Sequence, residues 1–367
     1  MQILSINCGS SSLRFKLMKT GKDFTTLAEG HVDGIGLPTC KFKFKSGKKN
    51  IGHKLKIKNH KEAIKLAFTK LPKEIDAIGH RVVHGGKKYS APTKITPKII
   101  KDIEKLEKLA PLHNKANLEG IIACKELLPR TPQFAIFDTA FHQTMPEKAF
   151  RYAIPKEFYA KHDIRRYGFH GTNHKYVINE TIKKIGKKNL KIVSCHLGNG
   201  ASITASINGK SIDTSMGFTP LEGLIMGTRA GSIDPAIPLH LATHLKMKPE
   251  KIDYILNHES GLKALSEISS DMRDIYAASL KKDPKALLTI EILAYQIAKY
   301  IGAYAAAMNG LDAVVFTGTL GEKAHYVRKQ ALAYTTHLKK FKTLIIHADE
   351  EKQIAIETWK SLKNGKI

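Results

Sequence analysis

Leu4–Leu17, LSINCGSSSLRFKL, and Ile192–Ile207, IVSCHLGNGASITASI, read as one device used twice. At an offset of 189 residues, Ser5 falls on Ser194, Asn7 on His196 and Gly9 on Gly198. In each copy an apolar strand ends in a polar residue, a glycine lets the backbone turn tightly, and small hydroxyl or amide residues direct their N–H groups inward as an anion nest. Either turn alone is read equally well as an ordinary hairpin, because Gly and Ser are common in tight turns. Two turns in matching order point to phosphate, and to a fold built by duplication.

Length and composition agree with that plan. A chain of 367 residues is long for one hydrophobic core, and 42% hydrophobic residues supply enough apolar side chain for buried sheets in two domains. No apolar run is expected to reach the roughly 18 residues of a membrane span. MQILSIN at the N-terminus reads as a short strand, not a signal peptide. Cys8, Cys40, Cys124 and Cys195 show no ligand spacing and read as reduced, buried thiols of a cytoplasmic protein.

The charge of +27 would suit nucleic acid, an acidic membrane surface or anionic substrates. Many lysines, however, sit on amphipathic helices such as KIIKDIEKLEKLA. The densest patch, CKFKFKSGKKNIGHKLKIK, alternates Lys with apolar residues around an SGKKN turn. It is expected to be an exposed basic hairpin, and with no nucleic-acid motif beside it nucleic acid is not the expected partner.

The rest of the chain reads as mixed α/β. A strand is expected in IDAIGHRVVHGG, helices over Pro97–Leu109 and Asn114–Leu128, a strand in QFAIFD and a domain boundary within Thr139–Pro155. A helix from about Asn173 leads into the second nest strand, and Asn208-Gly209 makes its return turn. Further helices are expected over Pro235–His244 and Pro284–Met308. A strand then ends in DAVVFTG, a helix opens after Gly321, TLIIHA forms the last strand, and an amphipathic helix from Asp349 packs on the first domain.

Four constellations lie between the nests. In GHRVVHGG, Arg81 offers a planar fork for a carboxylate or phosphate and Val83 one wall of a small apolar pocket, although a surface arginine is the plainer reading. In FDTAFHQTMP, Asp138 leaves a strand end, as a base, a metal ligand or a helix cap. RRYGFHGTNHKYV sets His170 before a helix capped by Thr172 or Asn173, where anions bind, and a zinc pair with His174 is excluded because His170 precedes that helix. MGTRAGSIDPA holds Arg229 on a Gly-flanked loop, to be paired with Arg81 on one transferring group.

GHRVVHGG, APLHN, FDTAFHQTMP, YGFHGTNHKYV, HLGNGAS, MGTR, SSDMRDI and the closing EE-IA-ET pattern together resemble the acetate kinase family, within the acetate and sugar kinase, heat-shock and actin superfamily. The resemblance implies a duplicated actin-like, ribonuclease H-like α/β fold with a central active-site cleft. Residues 1–145 with the helix 351–367 would form one domain and 146–350 a nucleotide-binding domain, closing by hinge motion. It implies reversible transfer of the ATP γ-phosphoryl to acetate, giving acetyl phosphate and ADP, with Mg²⁺, or Mn²⁺ in its place, in a cytoplasmic homodimer. By this resemblance Asn7 and Glu350, or Glu351 in the next register, hold the metal. Asp138 is the catalytic acid, and His170 and Arg229 stabilise the transition state. Arg81 binds the carboxylate, in an acyl pocket of Val83, Leu112, Phe169 and Pro220. Ser10, Ser12 and Arg14 of the first nest and His196, Leu197, Gly198, Asn199 and Gly200 of the second serve the phosphates. Asp271, Met272 and Arg273 hold the nucleoside with Thr319, Leu320, Gly321, Glu322 and Lys323.

The chain departs from the family where GIGEN reads TLGEK, with Thr319 and Lys323, in a tract about twenty residues shorter after that loop, and at Ser232, where Asp is usual. Three readings stay open on sequence: acetate kinase, a propionate or butyrate kinase or user of another donor, and a non-catalytic binding protein on the same fold.

Overall fold

Apolar alternation at the N-terminus builds a sheet whose two faces do different work. The structure, a computed structural model, describes residues 1–21, 23–72, 74–109 and 111–365, with the side chains of all these except 108, 109 and 111–113. The chain divides into two compact units, one of Met1–Gln143, Gly171–Asn173 and Asp349–Ile367, the other of Thr144–His170 and His174–Ala348.

The first unit holds strands β1 (Gln2–Cys8), β2 (Ser12–Lys19), β3 (Thr25–Asp33), β4 (Cys40–Ser46), β5 (Lys49–Leu55), β6 (Ala77–Val82), β7 (Thr93–Lys94) and β8 (Gln133–Phe137). They lie in the order β5-β4-β3-β2-β1-β6-β8-β7. β1 to β5 run antiparallel to their neighbours, whereas β6 lies parallel to β1 and β8 to β6. On β1, Leu4 and Ile6 pack with Leu13, Phe15 and Ile64 in one apolar cluster, and Ile3 packs with Met18, Ile354 and Ala355 in another. The two-residue period of a strand therefore places Ser5 and Asn7 on Ile3's face, where the C-terminal helix lies.

That helix, Glu350–Asn364, is capped by Asp349, whose carboxylate accepts from Lys352 N at 3.0 Å. It seats on β6 because Gly79 has no side chain: a Cβ there would fall 2.1 Å from Thr358 Oγ1 and 2.7 Å from Ile354 Cγ2. The basic hairpin forms as its alternation predicts, with Cys40, Phe42 and Phe44 buried and Lys41, Lys43 and Lys45 exposed.

The second unit holds β9 (Lys191–Leu197), β10 (Ala201–Ile207), β11 (Lys210–Thr214), β12 (Ala313–Thr317) and β13 (Lys342–Ile345), in the order β11-β10-β9-β12-β13. Its antiparallel pairs are β9 with β10 and β10 with β11, and β12 lies parallel to both β9 and β13. This repeats β3-β2-β1-β6-β8, so the duplication read from two turns extends to five strands in each sheet.

Several boundaries differ from expectation. The helix expected from Asn114 begins at Pro111, and the one expected over Pro97–Leu109 tightens to 3₁₀ at Leu106–Leu109. The helix expected after Gly321 is His325–Ala333, and a short helix over Gly318–Lys323, not expected, precedes it. Gly171–Asn173 groups with the first unit, because a Cβ on Gly171 would lie only 1.9 Å from the Asp138 carbonyl and Thr172 bonds to Asp138. Pro284–Ala307 is, contrary to expectation, long and apolar enough to cross a membrane by length and composition. One side of it packs within the second unit, with Ile290, Leu293, Ala294, Ile297 and Ile301 buried.

Candidate active site

In the first unit the ends of β1 and β6 gather an ion cluster. Arg81 donates from Nε and Nη2 to Asp138 Oδ2 (2.9 and 2.5 Å) and from Nη1 to Asn7 Oδ1 (3.2 Å), and its Nε lies 3.8 Å from Glu350 Oε2. Asp138 is fully buried, and its other oxygen accepts from Thr172 Oγ1 at 2.6 Å. A buried carboxylate with both oxygens occupied is an acceptor that orients Arg81. Asp138, Glu350 and Glu351 outweigh the cost of burying the guanidinium and hold its pKa above the usual arginine value.

Asn7 Nδ2 donates to Glu350 Oε2 (3.0 Å) and to Glu351 Oε1 (3.1 Å), so both registers for the metal ligand meet the same amide. Burial, and after it the neighbouring Glu350 charge, raises the Glu351 carboxyl above the ordinary glutamate value. Two carboxylates converging on one amide suit a hard cation with oxygen ligands. Among the described residues no three His, Cys, Asp or Glu side chains gather into one cage.

Around the first turn, Gly9 N donates to Ser12 O at 2.9 Å, Ser10 is exposed and Ser12 half-buried. Arg14 is exposed and pairs across β1 with Asn7. Val83 is buried just beyond β6, its N–H donating to Asn117 Oδ1 at 3.0 Å. The Leu112 side chain lies outside the described residues. Phe169, buried, and Pro220, half-buried, belong to the second unit.

In the second unit His170 itself stands at the N-cap of helix Gly171–Ile185, in place of Thr172 or Asn173, with φ of +55°. That left-handed backbone is uncommon outside glycine. Its ring stacks on His196 with centroids 4.3 Å apart, and its Nδ1 meets Ser202 Oγ at 2.9 Å. Ser202 also meets His174 Nε2 at 2.7 Å, and His174 Nδ1 meets Ser194 Oγ at 2.8 Å. A fixed Nδ1 leaves Nε2 aimed at the second turn, where a Cβ on Gly200 would lie 3.4 Å from His170 Nε2 and 3.8 Å from Arg229 Nη1. Arg229 donates to Pro220 O at 3.4 Å and contacts Met226 Sδ at 3.8 Å; no carboxylate pairs with it among the described residues, and burial lowers its pKa. Ser232 accepts from Gly223 N at 3.0 Å and so still braces the loop.

A cavity of about 680 Å³ in the second unit brings together Gly198, Asn199, Asp271, Met272, Arg273, Thr319, Leu320 and Lys323 of the residues named from sequence. His196, Leu197, Gly200, Gly321 and Glu322 are absent from its lining. Gly321 packs under β9, and Glu322 accepts from Gly318 N and Ala348 N (both 3.1 Å), a brace for its own helix. Sequence reasoning missed Tyr276, His325 and Tyr326, which also line the cavity, and the braces His174, Ser202 and Arg166. Arg166 Nη1 donates to the carbonyls of Thr214, Ser215 and Met216 and its Nη2 pairs with Glu222. Only its place in RRYGFHG could have drawn attention to it.

The family model described as the acetokinase family matches residues 2–362. The acetate kinase of Clostridium beijerinckii is 46% identical over 401 aligned residues, covering 99% of this chain and all of that protein. The crystal structure of Porphyromonas gingivalis acetate kinase aligns at 38% identity with a TM-score of 0.88, over 98% of this chain and 99% of that one. A propionate kinase from Francisella tularensis aligns at 40% identity with a TM-score of 0.92, over the same shares.

Proposed function

The chain belongs to the acetokinase family, and from that premise we propose that it is an acetate kinase, a phosphotransferase with a carboxyl acceptor, forming acetyl phosphate and ADP from acetate and ATP reversibly. The observation that carries the site assignment is Arg81, held by Asp138 and Asn7 beside Glu350.

A carboxylate oxygen of acetate forms the new bond to the γ-phosphorus, and the bond from that phosphorus to the β,γ-bridging oxygen breaks. Acetate is already ionised at neutral pH, so no general base is required, and positioning with charge neutralisation supplies most of the rate. Arg81 binds the carboxylate, its planar fork aimed by Asp138. His170, with Nδ1 held by Ser202, presents Nε2 to the phosphoryl oxygens, and Arg229 adds a desolvated positive charge. Asn7, Glu350 and Glu351 would hold Mg²⁺, which when bound neutralises phosphate charge. The 680 Å³ cavity takes the nucleoside.

Propionate is the second reading, supported by the likeness to the Francisella propionate kinase. Buried Val83 two residues from Arg81 favours the shorter acid, because one methylene is worth about 1–3 kcal/mol in such a pocket. Exposed Ile237, Leu239, Leu245, Leu280, Leu287 and Leu288 in the second unit support a homodimer. Four buried free thiols support a cytoplasmic location.

The test is hydroxylamine trapping of acyl phosphate with acetate, propionate and butyrate, each against ATP, GTP and pyrophosphate. Acetate with ATP is expected to give the highest kcat/KM. A higher value for propionate would transfer the assignment to that acid, and no product with any pair would overturn it. Sedimentation of the purified protein as a monomer would remove the homodimer.

A further inference from the structure

Tyr276, on helix Met272–Leu280, and Tyr326, on helix His325–Ala333, line the nucleoside cavity with their rings stacked, centroids 3.7 Å apart and planes at 6°. Neither belongs to the motifs that carry the family resemblance. Aromatic pairs ordinarily offset or meet edge to face at centroid separations of about 4.5–7 Å. Near-complete overlap instead turns two flat faces outward, an arrangement that a third flat ring can continue.

The pair is held in place. Tyr326 Oη donates to Met272 O at 3.4 Å, and the His325 ring stands at 84° to the Tyr326 ring with centroids 5.6 Å apart. The acidic group of the cavity is already engaged: Asp271 Oδ1 accepts from Arg273 N (2.9 Å) and Nε (3.0 Å), and its Oδ2 pairs with the same guanidinium. With that carboxylate taken, the rings of Tyr276 and Tyr326 offer a base a broad flat aromatic surface in this cavity.

We infer that the Tyr276–Tyr326 pair is the platform on which the nucleobase stacks, setting the position of the nucleotide in the cavity. The inference rests on the nucleotide reading of the cavity proposed above. It makes the tyrosines positioning residues of the bound base with no part in the phosphoryl chemistry.

The test is calorimetric titration with MgADP of the unaltered protein and of Tyr326→Ala, Tyr326→Phe and Tyr276→Leu, beside ATP kinetics. Loss of the aromatic platform is expected to weaken MgADP about fivefold to a hundredfold, the range for base–aromatic stacking. KM for ATP should rise with it while kcat stays unchanged. Tyr326→Phe should keep the affinity. Inorganic tripolyphosphate, which has no base, should bind every variant equally. Tyr276→Leu preserves apolar bulk, so it carries the same test should Tyr326→Ala fail to fold.

Unchanged MgADP affinity in both Tyr326→Ala and Tyr276→Leu would overturn the inference, and so would a matching loss for tripolyphosphate. An unaltered protein that does not bind MgADP would do the same. If MgADP binding depends on the tyrosines but no acyl phosphate forms, the platform stands and the activity reading falls.

Discussion

The ends of β1 and β9 carry the same glycine turn in the same strand order, yet their charges are organised in opposite ways. At β1, Arg81 is neutralised by Asp138 and approached by Glu350, and Asn7 bridges two carboxylates. At β9 imidazole, hydroxyl, carbonyl and thioether groups meet one another and Arg229, and the Arg229 guanidinium is buried without a carboxylate among the described residues. A duplicated backbone thus supplies two equivalent strand ends, and on the proposed reading the side chains beside them would suit one to a cation and a carboxylate and the other to phosphate.

The contrast breaks most visibly on removal of each arginine. Arg229→Ala is expected to lower kcat for acetyl phosphate formation on the order of 10³-fold, as for a guanidinium that stabilises a transferring phosphoryl group. Chemical denaturation should show the folded state no less stable, since an unpaired desolvated cation is gone; a variant that keeps near-normal turnover would remove Arg229 from the mechanism. Arg81→Ala should destabilise the fold by about 3–5 kcal/mol, because it removes one partner of a buried ion pair. Equal stability losses for the two alanine variants in urea titrations would erase the distinction drawn here.

A smaller effect comes from His80, one residue before Arg81, whose Nε2 bonds Gln133 Oε1 at 2.7 Å and whose pKa burial lowers to about 4. The folded state holds this ring neutral, and the unfolded chain binds a proton below the ordinary histidine value of about 6.5. Its contribution to stability is therefore full above pH about 6.5 and is lost progressively as pH falls toward about 4, on the order of 3 kcal/mol in all. His84, also lowered to about 4 by burial, acts in the same direction. Unfolding free energies measured across this window should fall with acidity in the wild type and less steeply in His80→Gln; identical slopes would exclude His80 as a source.

The smallest expected effect is at Val83. Val83→Ala should shift preference from acetate toward butyrate by about 1–2 kcal/mol in kcat/KM with little change for acetate itself. A uniform loss across the acid series would show that Val83 supports the backbone at Arg81 and does not line an acyl pocket.

Much of this was legible because it is local. The nest turns, the alternation of the basic hairpin and the position of Asp138 at a strand end follow from neighbours within a few residues. The braces were not legible: nothing near His174 in the chain indicates that Ser202 and Ser194 clasp its two ring nitrogens. The helix start at Pro111 was placed late, at Asn114, although proline is favoured in the first turn of a helix, and the short helix from Gly318 was not foreseen.

By itself the sequence determined two matching glycine turns, a mixed α/β fold in duplicate and the identities of the charged residues, because motif spacing and two-residue periodicity are properties of the chain. Only the tertiary structure decided which charges neutralise each other. Arg81 meets Asp138 across 57 residues and Asn7 meets Glu350 across 343, and a Coulomb interaction depends on separation in space, which no linear spacing encodes. The stacking of Tyr276 on Tyr326 is of the same kind, because it exists only once two helices have packed.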